Sequence, residues 1–186
     1  MKSILIISVI CFGLSGCSSI MKSGSPISED YGKRTAGALL DDQSIENRSH
    51  ANIANAAPEL RKAHIVVVSF NGVVLLAGQV ASNELRNLAE TTVKNIRKVR
   101  LVHNEITVSG PTSMVARSND TWLTTKVKSR LIGSKNVRAN RIKVVTENGV
   151  VYLMGLVTRD EADAAVRVAR KTYGVQKIVK VFEYIN

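Results

Sequence analysis

The sequence has few of the residues that build covalent or metal-dependent sites. It contains two cysteines, Cys11 and Cys17, and both lie within the first seventeen of its 186 residues. The rest of the chain therefore has no thiol for a disulfide, a thiolate metal site or a cysteine nucleophile. The three histidines, His50, His64 and His103, show no metal-ligand spacing. We predict no catalytic residue, no metal and no cofactor, and expect that the protein is not an enzyme.

No apolar run is long enough to span a bilayer, which takes about 20 residues. The run from Ile4 to Leu14 follows a single basic residue, Lys2, and leads into Leu14-Ser15-Gly16-Cys17. This arrangement resembles the signal peptide and lipobox of bacterial lipoproteins. The resemblance implies that residues 1–16 are removed and that Cys17 becomes an acylated N-terminus. Ser18 implies sorting to the outer membrane, so we expect a lipid-anchored protein that faces the periplasm.

Acidic residues are scarce relative to basic ones, 15 against 26, which gives a formal net charge of +11. A cytoplasmic chain this basic would suggest nucleic acid, but the expected export excludes that partner. Anionic phospholipid head groups or lipopolysaccharide are then the expected partners. Residues 119–186 hold 13 basic and 6 acidic residues, whereas residues 41–110 hold 8 and 7. The positive charge is therefore concentrated in the C-terminal part.

Residues 17–40 are rich in serine, glycine and charged residues and have little apolar periodicity. Such a composition does not form a hydrophobic core. We therefore predict an acylated N-terminus followed by a flexible tether over this range.

An internal duplication follows the predicted tether. Residues 65–80 align with residues 142–157 at a constant offset of 77. Each copy places Asn-Gly, at 71–72 and at 148–149, between two runs of β-branched residues. Asn-Gly in this setting is the strongest short-range signal for a β-hairpin, because a type I′ turn needs positive φ at both central residues. We predict one tight hairpin in each copy.

Helical patterns surround each hairpin. The predicted N-cap after the first hairpin is Ser82, and Thr158 with Glu161 forms a capping box after the second. The apolar stripes that follow are Leu85, Leu88, Ala89, Thr92 and Ile96 in the first copy, and Ala162, Ala165, Val166, Ala169 and Tyr173 in the second. The remaining predicted elements are helices near 42–56 and 119–133 and final strands over 102–108 and 178–185. The order is helix, strand, strand, helix, strand, repeated once.

This order, the Asn-Gly hairpin and a glycine six residues after each turn glycine resemble the BON domain. Two such units behind a lipobox are similar to the dual-BON outer-membrane lipoproteins of Gram-negative bacteria. The resemblance is closest along 118–131 and 146–157. It implies an α+β fold in which each unit packs a small three-stranded mixed sheet on two helices. The units would be residues 41–110 and 119–186, joined by a linker over 111–118.

The same resemblance implies a function. Members of this group bind anionic phospholipid, such as phosphatidylglycerol or cardiolipin, through the first helix of the second unit. They maintain outer-membrane integrity and are associated with division sites. We expect the same of this chain.

A helical wheel places a candidate lipid-binding surface independently of the resemblance. Leu123, Val127 and Leu131 share one face of the helix, which is predicted to pack on the sheet. The rest of the helix carries what we call the Trp122 face: Trp122, Thr125, Lys126, Lys128, Ser129 and Ile132. An indole among hydroxyls and lysines is typical of a membrane-interfacial surface. The alternative is that Trp122 folds back and fills the seam between the units.

A second hypothesis gives the chain protein partners. In it the same apolar face docks onto an outer-membrane assembly or division complex, and the protein is a periplasmic adaptor with the first unit as a platform. The first unit lacks the tryptophan, because the position 77 residues before Trp122 is Ile45. The two units are therefore expected to have different roles.

Overall fold

The computed structural model describes residues 32–186, so the predicted signal peptide, Cys17 and most of the predicted tether lie outside the described residues. The helices are α1 (Ala36–Ala56), α2 (Pro58–Lys62), α3 (Asn83–Lys94), α4 (Met114–Ile132) and α5 (Arg159–Arg170). The strands are β1 (Ile65–Phe70), β2 (Val73–Val80), β3 (Leu101–Val108), β4 (Ile142–Glu147), β5 (Val150–Val157) and β6 (Lys177–Tyr184). A short 3-10 helix, Ala139–Arg141, precedes β4.

Each unit forms its own three-stranded mixed sheet. In the first unit β1 pairs antiparallel with β2, and β2 pairs parallel with β3. The second unit repeats this order with β4, β5 and β6. Two helices cross one face of each sheet, α1 and α3 in the first unit and α4 and α5 in the second. The predicted α+β fold is confirmed.

Both hairpins turn at the predicted Asn-Gly pairs. The φ angles are 53° and 76° at Asn71 and Gly72, and 49° and 74° at Asn148 and Gly149. Positive φ at both central residues is the type I′ requirement, which asparagine and glycine meet at low cost. The glycine six positions after the first turn glycine is required for a different reason, a close approach of two backbones. At Gly78, φ is 135° and an added Cβ would collide with the carbonyl oxygen of His64, so a side chain would separate the two strands.

The second face of each sheet packs against the other unit. The residues buried in this seam are Val68, Phe70, Val73, Leu75 and Ala77 from the first unit and Tyr152, Met154 and Val181 from the second. Because both faces of β2 and β5 are covered, these strands are apolar almost throughout, without the alternation of a half-exposed sheet. Burial here, with Glu105 and Glu147 nearby, raises the pKa of Tyr152 to about 12.

Polar contacts surround the seam. The side-chain amide of Gln79 donates to Glu147 at 2.8 Å, and the Lys143 ammonium lies 3.0 Å from Glu46. Arg100 pairs with Glu183 across the units. Together with the apolar cluster, these contacts fix the orientation of one unit on the other.

Both first helices begin earlier than the sequence predicted. Residues 36–40, assigned to the tether, form the start of α1, and residues 114–118, assigned to the linker, form the start of α4. Hydroxyl N-caps account for the earlier starts. Thr35 accepts from the backbone N–H of Ala38 at 3.1 Å, and Ser113 accepts from that of Ala116 at 3.2 Å.

The helices after the hairpins follow the prediction at their starts and depart from it at their ends. Ser82 is the N-cap of α3, and Thr158 forms the capping box with Glu161. The second stripe was extended too far, because α5 ends at Arg170 and Tyr173 lies in the next turn with 85% of its surface exposed. The short helix α2 was not predicted.

Candidate functional site

A buried aspartate holds α4 on the hairpin turn of the second unit. The Asp120 carboxylate is 5% exposed and accepts from the backbone N–H groups of Asn148 at 2.7 Å and Gly149 at 2.8 Å. One turn further along, the Thr124 hydroxyl donates to that of Thr146 at 2.8 Å. Because Asn148 and Thr146 stand at the end of β4, α4 runs antiparallel to that strand. These contacts fix the rotation of α4 about its axis.

The first unit contains the same arrangement. Asp42 accepts from the backbone N–H groups of Asn71 at 2.8 Å and Gly72 at 2.9 Å. Burial alone would raise the pKa of Asp42, but hydrogen bonds from Gly72, Ser69, Arg34 and Asn71 outweigh it and hold the pKa below its usual value. Sequence reasoning missed both aspartates. The signal was an aspartate 28 or 29 residues before each Asn-Gly pair.

The fixed rotation of α4 buries one side and exposes the Trp122 face. Leu123, Val127 and Leu131 are at most 1% exposed, as the wheel predicted. Trp122 is 51% exposed and Ile132 is 74% exposed. Thr125, Lys128 and Ser129 are exposed too, and Lys126 is intermediate. The alternative that Trp122 fills the seam is therefore wrong; the seam is filled by strand residues.

Lys126 is of intermediate exposure, and its ammonium group covers the indole of Trp122. Its ammonium nitrogen lies 3.8 Å from the centroid of the Trp122 ring, a cation–π contact. The apolar ring and a positive charge are thus presented together at one point of the surface. An arrangement of this kind suits a boundary between an anionic layer and an apolar one.

The earlier start of α4 lengthens this surface toward the N-terminus. Met114 and Val115 lie in the added turn and are 74% and 80% exposed. Val115 stands seven residues before Trp122, two helical turns along the same side. With 19 residues, α4 is about 28 Å long. Sequence reasoning missed both residues because it placed them in the linker.

The structure also corrects the residue equivalent to Trp122 in the first unit. The buried positions of the two first helices match at an offset of 78: Asp42, Ile45, Ser49 and Ile53 with Asp120, Leu123, Val127 and Leu131. Ile45 is therefore the equivalent of Leu123, and the equivalent of Trp122 is Ser44. By the same offset, Arg48 stands in the place of Lys126. The first unit has a polar, basic surface where the second has an aromatic.

Two further features concern residues 32–186, the part of the chain that the structure describes. In this part of the chain, no group of three or more His, Cys, Asp or Glu side chains is placed to hold a metal ion. No helix in it is both long and apolar enough to cross a membrane.

Comparison with known proteins identifies the family. A family model for the BON domain matches residues 41–110 and 119–186. The chain belongs to the BON family. Its relatives in the family include the outer membrane lipoprotein DolP of Haemophilus influenzae, which is 37% identical over 175 residues, covering 93% of this chain and 91% of that protein. The predicted membership among dual-BON outer-membrane lipoproteins is confirmed.

Two further relatives cover somewhat less of the chain. The 21 kDa hemolysin of Actinobacillus pleuropneumoniae is 38% identical over 153 residues, 82% of this chain and 79% of that protein. Osmotically-inducible protein Y of Escherichia coli is 26% identical over 152 residues, 80% of this chain and 75% of that protein.

Proposed function

We propose that this BON protein is anchored to the outer membrane through acylated Cys17, binds anionic phospholipid through the Trp122 face, and thereby supports envelope integrity. The function is one of binding, without catalysis. The observation that carries the proposal is the exposed indole of Trp122 with the Lys126 ammonium stacked on it. The similarity to an outer membrane lipoprotein over 93% of the chain supports the location.

The chemistry of the Trp122 face suits phosphatidylglycerol or cardiolipin. Trp122 and Ile132 supply apolar surface for the acyl boundary, and the indole N–H can stay at the head-group level. Lys126 and Lys128 supply charge for phosphate oxygens. A lysine near an anionic surface contributes about 1 kcal/mol, so two lysines together change the affinity about 30-fold. Such a preference would enrich the protein where anionic lipid accumulates, as at division sites.

The start of the described chain is compatible with this arrangement. Gly32 packs so closely on the Arg141 side chain that it leaves no room for a Cβ. Arg141 lies next to the start of β4, the end of the sheet at which the antiparallel α4 finishes. From Cys17 to Gly32 the chain spans at most about 50 Å. An acylated Cys17 can therefore reach a bilayer that contacts α4.

Co-sedimentation with vesicles tests the proposal. The chain from Ser18, without the acyl anchor, is mixed with vesicles that contain or lack phosphatidylglycerol. We expect binding only to the anionic vesicles, and we expect salt to weaken it. Binding should be at least tenfold weaker for Trp122→Glu, because the introduced carboxylate has the same sign of charge as the lipid head groups. Ser44→Glu is the matched control, because Ser44 is the equivalent position in the first unit, and it should bind as wild type.

The result that would contradict the proposal is equal binding of Trp122→Glu and Ser44→Glu, or no binding by any form. A surface that instead captured envelope proteins irrespective of lipid charge would favour the adaptor hypothesis.

A further inference from the structure

A second exposed aromatic, Tyr173, belongs to no helix but to a turn that contacts α4. Tyr173 is 85% exposed, more than any other large apolar side chain that the structure describes. It lies in the turn between α5 and β6, residues 171–176. Isolated exposed apolar residues are common on protein surfaces and carry no argument by themselves. The significance of Tyr173 comes from its position relative to α4.

The 171–176 turn is bound to α4 and to the same hairpin as α4. The Arg130 guanidinium donates to the carbonyl oxygen of Lys171 at 2.7 Å. Gly174 faces the Leu123 methyl groups, which would lie 3.6 Å from an added Cβ. The backbone N–H of Gln176 donates to the carbonyl of Gly149, the residue whose own N–H binds Asp120. The turn therefore lies along α4 from Leu123, the residue after Trp122, to Arg130.

The conformation of the turn directs Tyr173 outward. Thr172, one residue earlier, is only 2% exposed, and its N–H donates to the carbonyl of Ala169 at 3.0 Å. Its carbonyl accepts from the N–H of Val175 at 3.2 Å, which closes the turn. Gly174 follows with a φ of 99°. The backbone on both sides of Tyr173 is therefore held by hydrogen bonds, while its side chain is exposed to solvent.

The first unit confirms which residues such a turn adjoins. Lys98, with φ of 73°, is the equivalent of Gly174, so Arg97 is the equivalent of Tyr173. Arg97 lines a surface cavity together with Ser44 and Arg48. These two residues are the equivalents of Trp122 and Lys126. Two units of the same fold thus place this turn beside the same helix face, basic in the first unit and aromatic in the second.

We propose that Tyr173 is a second interfacial aromatic, and that α4 and the 171–176 turn together form the surface that contacts an anionic bilayer. This inference rests on the proposed function and adds a contact that lies off the axis of α4. A helix lying alone on a bilayer is free to roll about its axis. A tyrosine to one side, with its ring at the acyl boundary and its hydroxyl at the head groups, removes that freedom. Lys171 and Arg130 beside it supply charge for phosphate.

Depth-dependent quenching in the anchored protein tests the inference. The chain has one tryptophan, so the full-length acylated protein, reconstituted in vesicles of phosphatidylglycerol with brominated acyl chains, reports on Trp122 directly. The double variant Trp122→Phe, Tyr173→Trp moves the probe to the turn and keeps an aromatic at 122. We expect the bromines to quench position 173 as strongly as they quench Trp122 in the wild type.

The matched control is Trp122→Phe, Tyr184→Trp. Tyr184 is 45% exposed in β6, the edge strand opposite β4 on which α4 packs, and its ring contacts Arg159 at the start of α5, so it should not be quenched. Quenching at 122 but not at 173 overturns the inference and leaves the proposed function intact. Quenching at neither overturns both, and equal quenching at 173 and 184 overturns the inference because the contact would then have no preferred face.

Tyr173→Ser provides a second readout that needs no introduced probe. If the tyrosine prevents rolling, its loss should reduce the quenching of Trp122 in the anchored protein, whereas Tyr184→Ser should leave it unchanged. Unchanged quenching of Trp122 in Tyr173→Ser would overturn the inference.

Discussion

At the residue scale, two carboxylates decide what the first helix of each unit exposes. Asp42 and Asp120 each accept hydrogen bonds from two backbone N–H groups of an Asn-Gly turn. In each helix the next buried residue, Ile45 or Leu123, lies three positions after the aspartate. The outward side of the helix follows from this contact. In the second unit it exposes Trp122, and the lipid-binding proposal depends on that geometry.

Removal of the Asp120 carboxylate should destabilise the protein. In Asp120→Ala the buried N–H of Gly149 loses its acceptor, and an unsatisfied buried donor costs about 1–3 kcal/mol. Urea unfolding measures the loss. Ser118→Ala, an exposed change on the same helix, should stay within about 0.5 kcal/mol of wild type. Equal stability of the two variants would show that the contact does not hold the helix.

The lowered pKa of Asp42 predicts an acid dependence of stability. A carboxyl group with a lower pKa in the folded than in the unfolded state stabilises the fold above its unfolded pKa, about 3.9, and loses this contribution as the pH falls toward the folded value. Between about pH 4 and the lower folded pKa, wild type should lose more stability than Asp42→Asn, which has no such proton to bind. Thermal unfolding at pH 7, 4 and 3 measures this. Parallel loss in the two proteins would contradict the account.

At the element scale, the sequence predicted best where the signal is local. Both hairpins followed from Asn-Gly pairs, and the core side of α4 from Leu123, Val127 and Leu131. The first turn of α4 was missed for a physical reason. Apolar periodicity marks a helix only where one side is buried, and the first buried residue of α4 is Asp120, so the only signal for Met114 was its cap, Ser113. Tyr173 was misplaced because the stripe continued past Arg170, where the chain turns.

The cap at Ser113 gives a prediction for that first turn. Ser113→Ala removes the acceptor of the Ala116 N–H and should cost about 1 kcal/mol, with faster amide exchange at Ala116 and Arg117. Hydrogen exchange followed by NMR measures it. Ser109→Ala, in the exposed segment before the helix, is the control and should leave these amides unchanged. Wild-type exchange rates in Ser113→Ala would mean that α4 begins later.

At the scale of the whole molecule, the two units share a core. The sequence gives no direct signal for their relative orientation, because the seam is made of long-range contacts between Leu75, Ala77, Tyr152 and Met154. The uninterrupted apolar character of β2 and β5 was the indirect signal that a second face of each sheet is buried. The two units also differ, since each has the sheet and the aspartate contact while the outer surface carries Ser44 and Arg48 in the first unit and Trp122 and Lys126 in the second.

The shared core predicts that damage to the first unit weakens the second. Leu75→Ala, at a fully buried seam position, should cost about 2–5 kcal/mol and speed the slowest amide exchange in β5 of the other unit. Leu88→Ala, 37% exposed in the same unit, is the control and should change β5 little. Unaltered exchange in β5 of Leu75→Ala would show that the units unfold independently.

Binding of anionic lipid through α4 requires that Trp122 enters the bilayer, and the fluorescence emission of this single tryptophan reports on that contact. The chain from Ser18 is titrated with vesicles of neutral lipid and with vesicles that also contain phosphatidylglycerol. We expect a blue shift of the Trp122 emission with the anionic vesicles alone, reversed by salt and absent when Lys126 and Lys128 are both changed to glutamine. An emission maximum that stays unchanged with anionic vesicles to which the protein demonstrably binds would contradict the account.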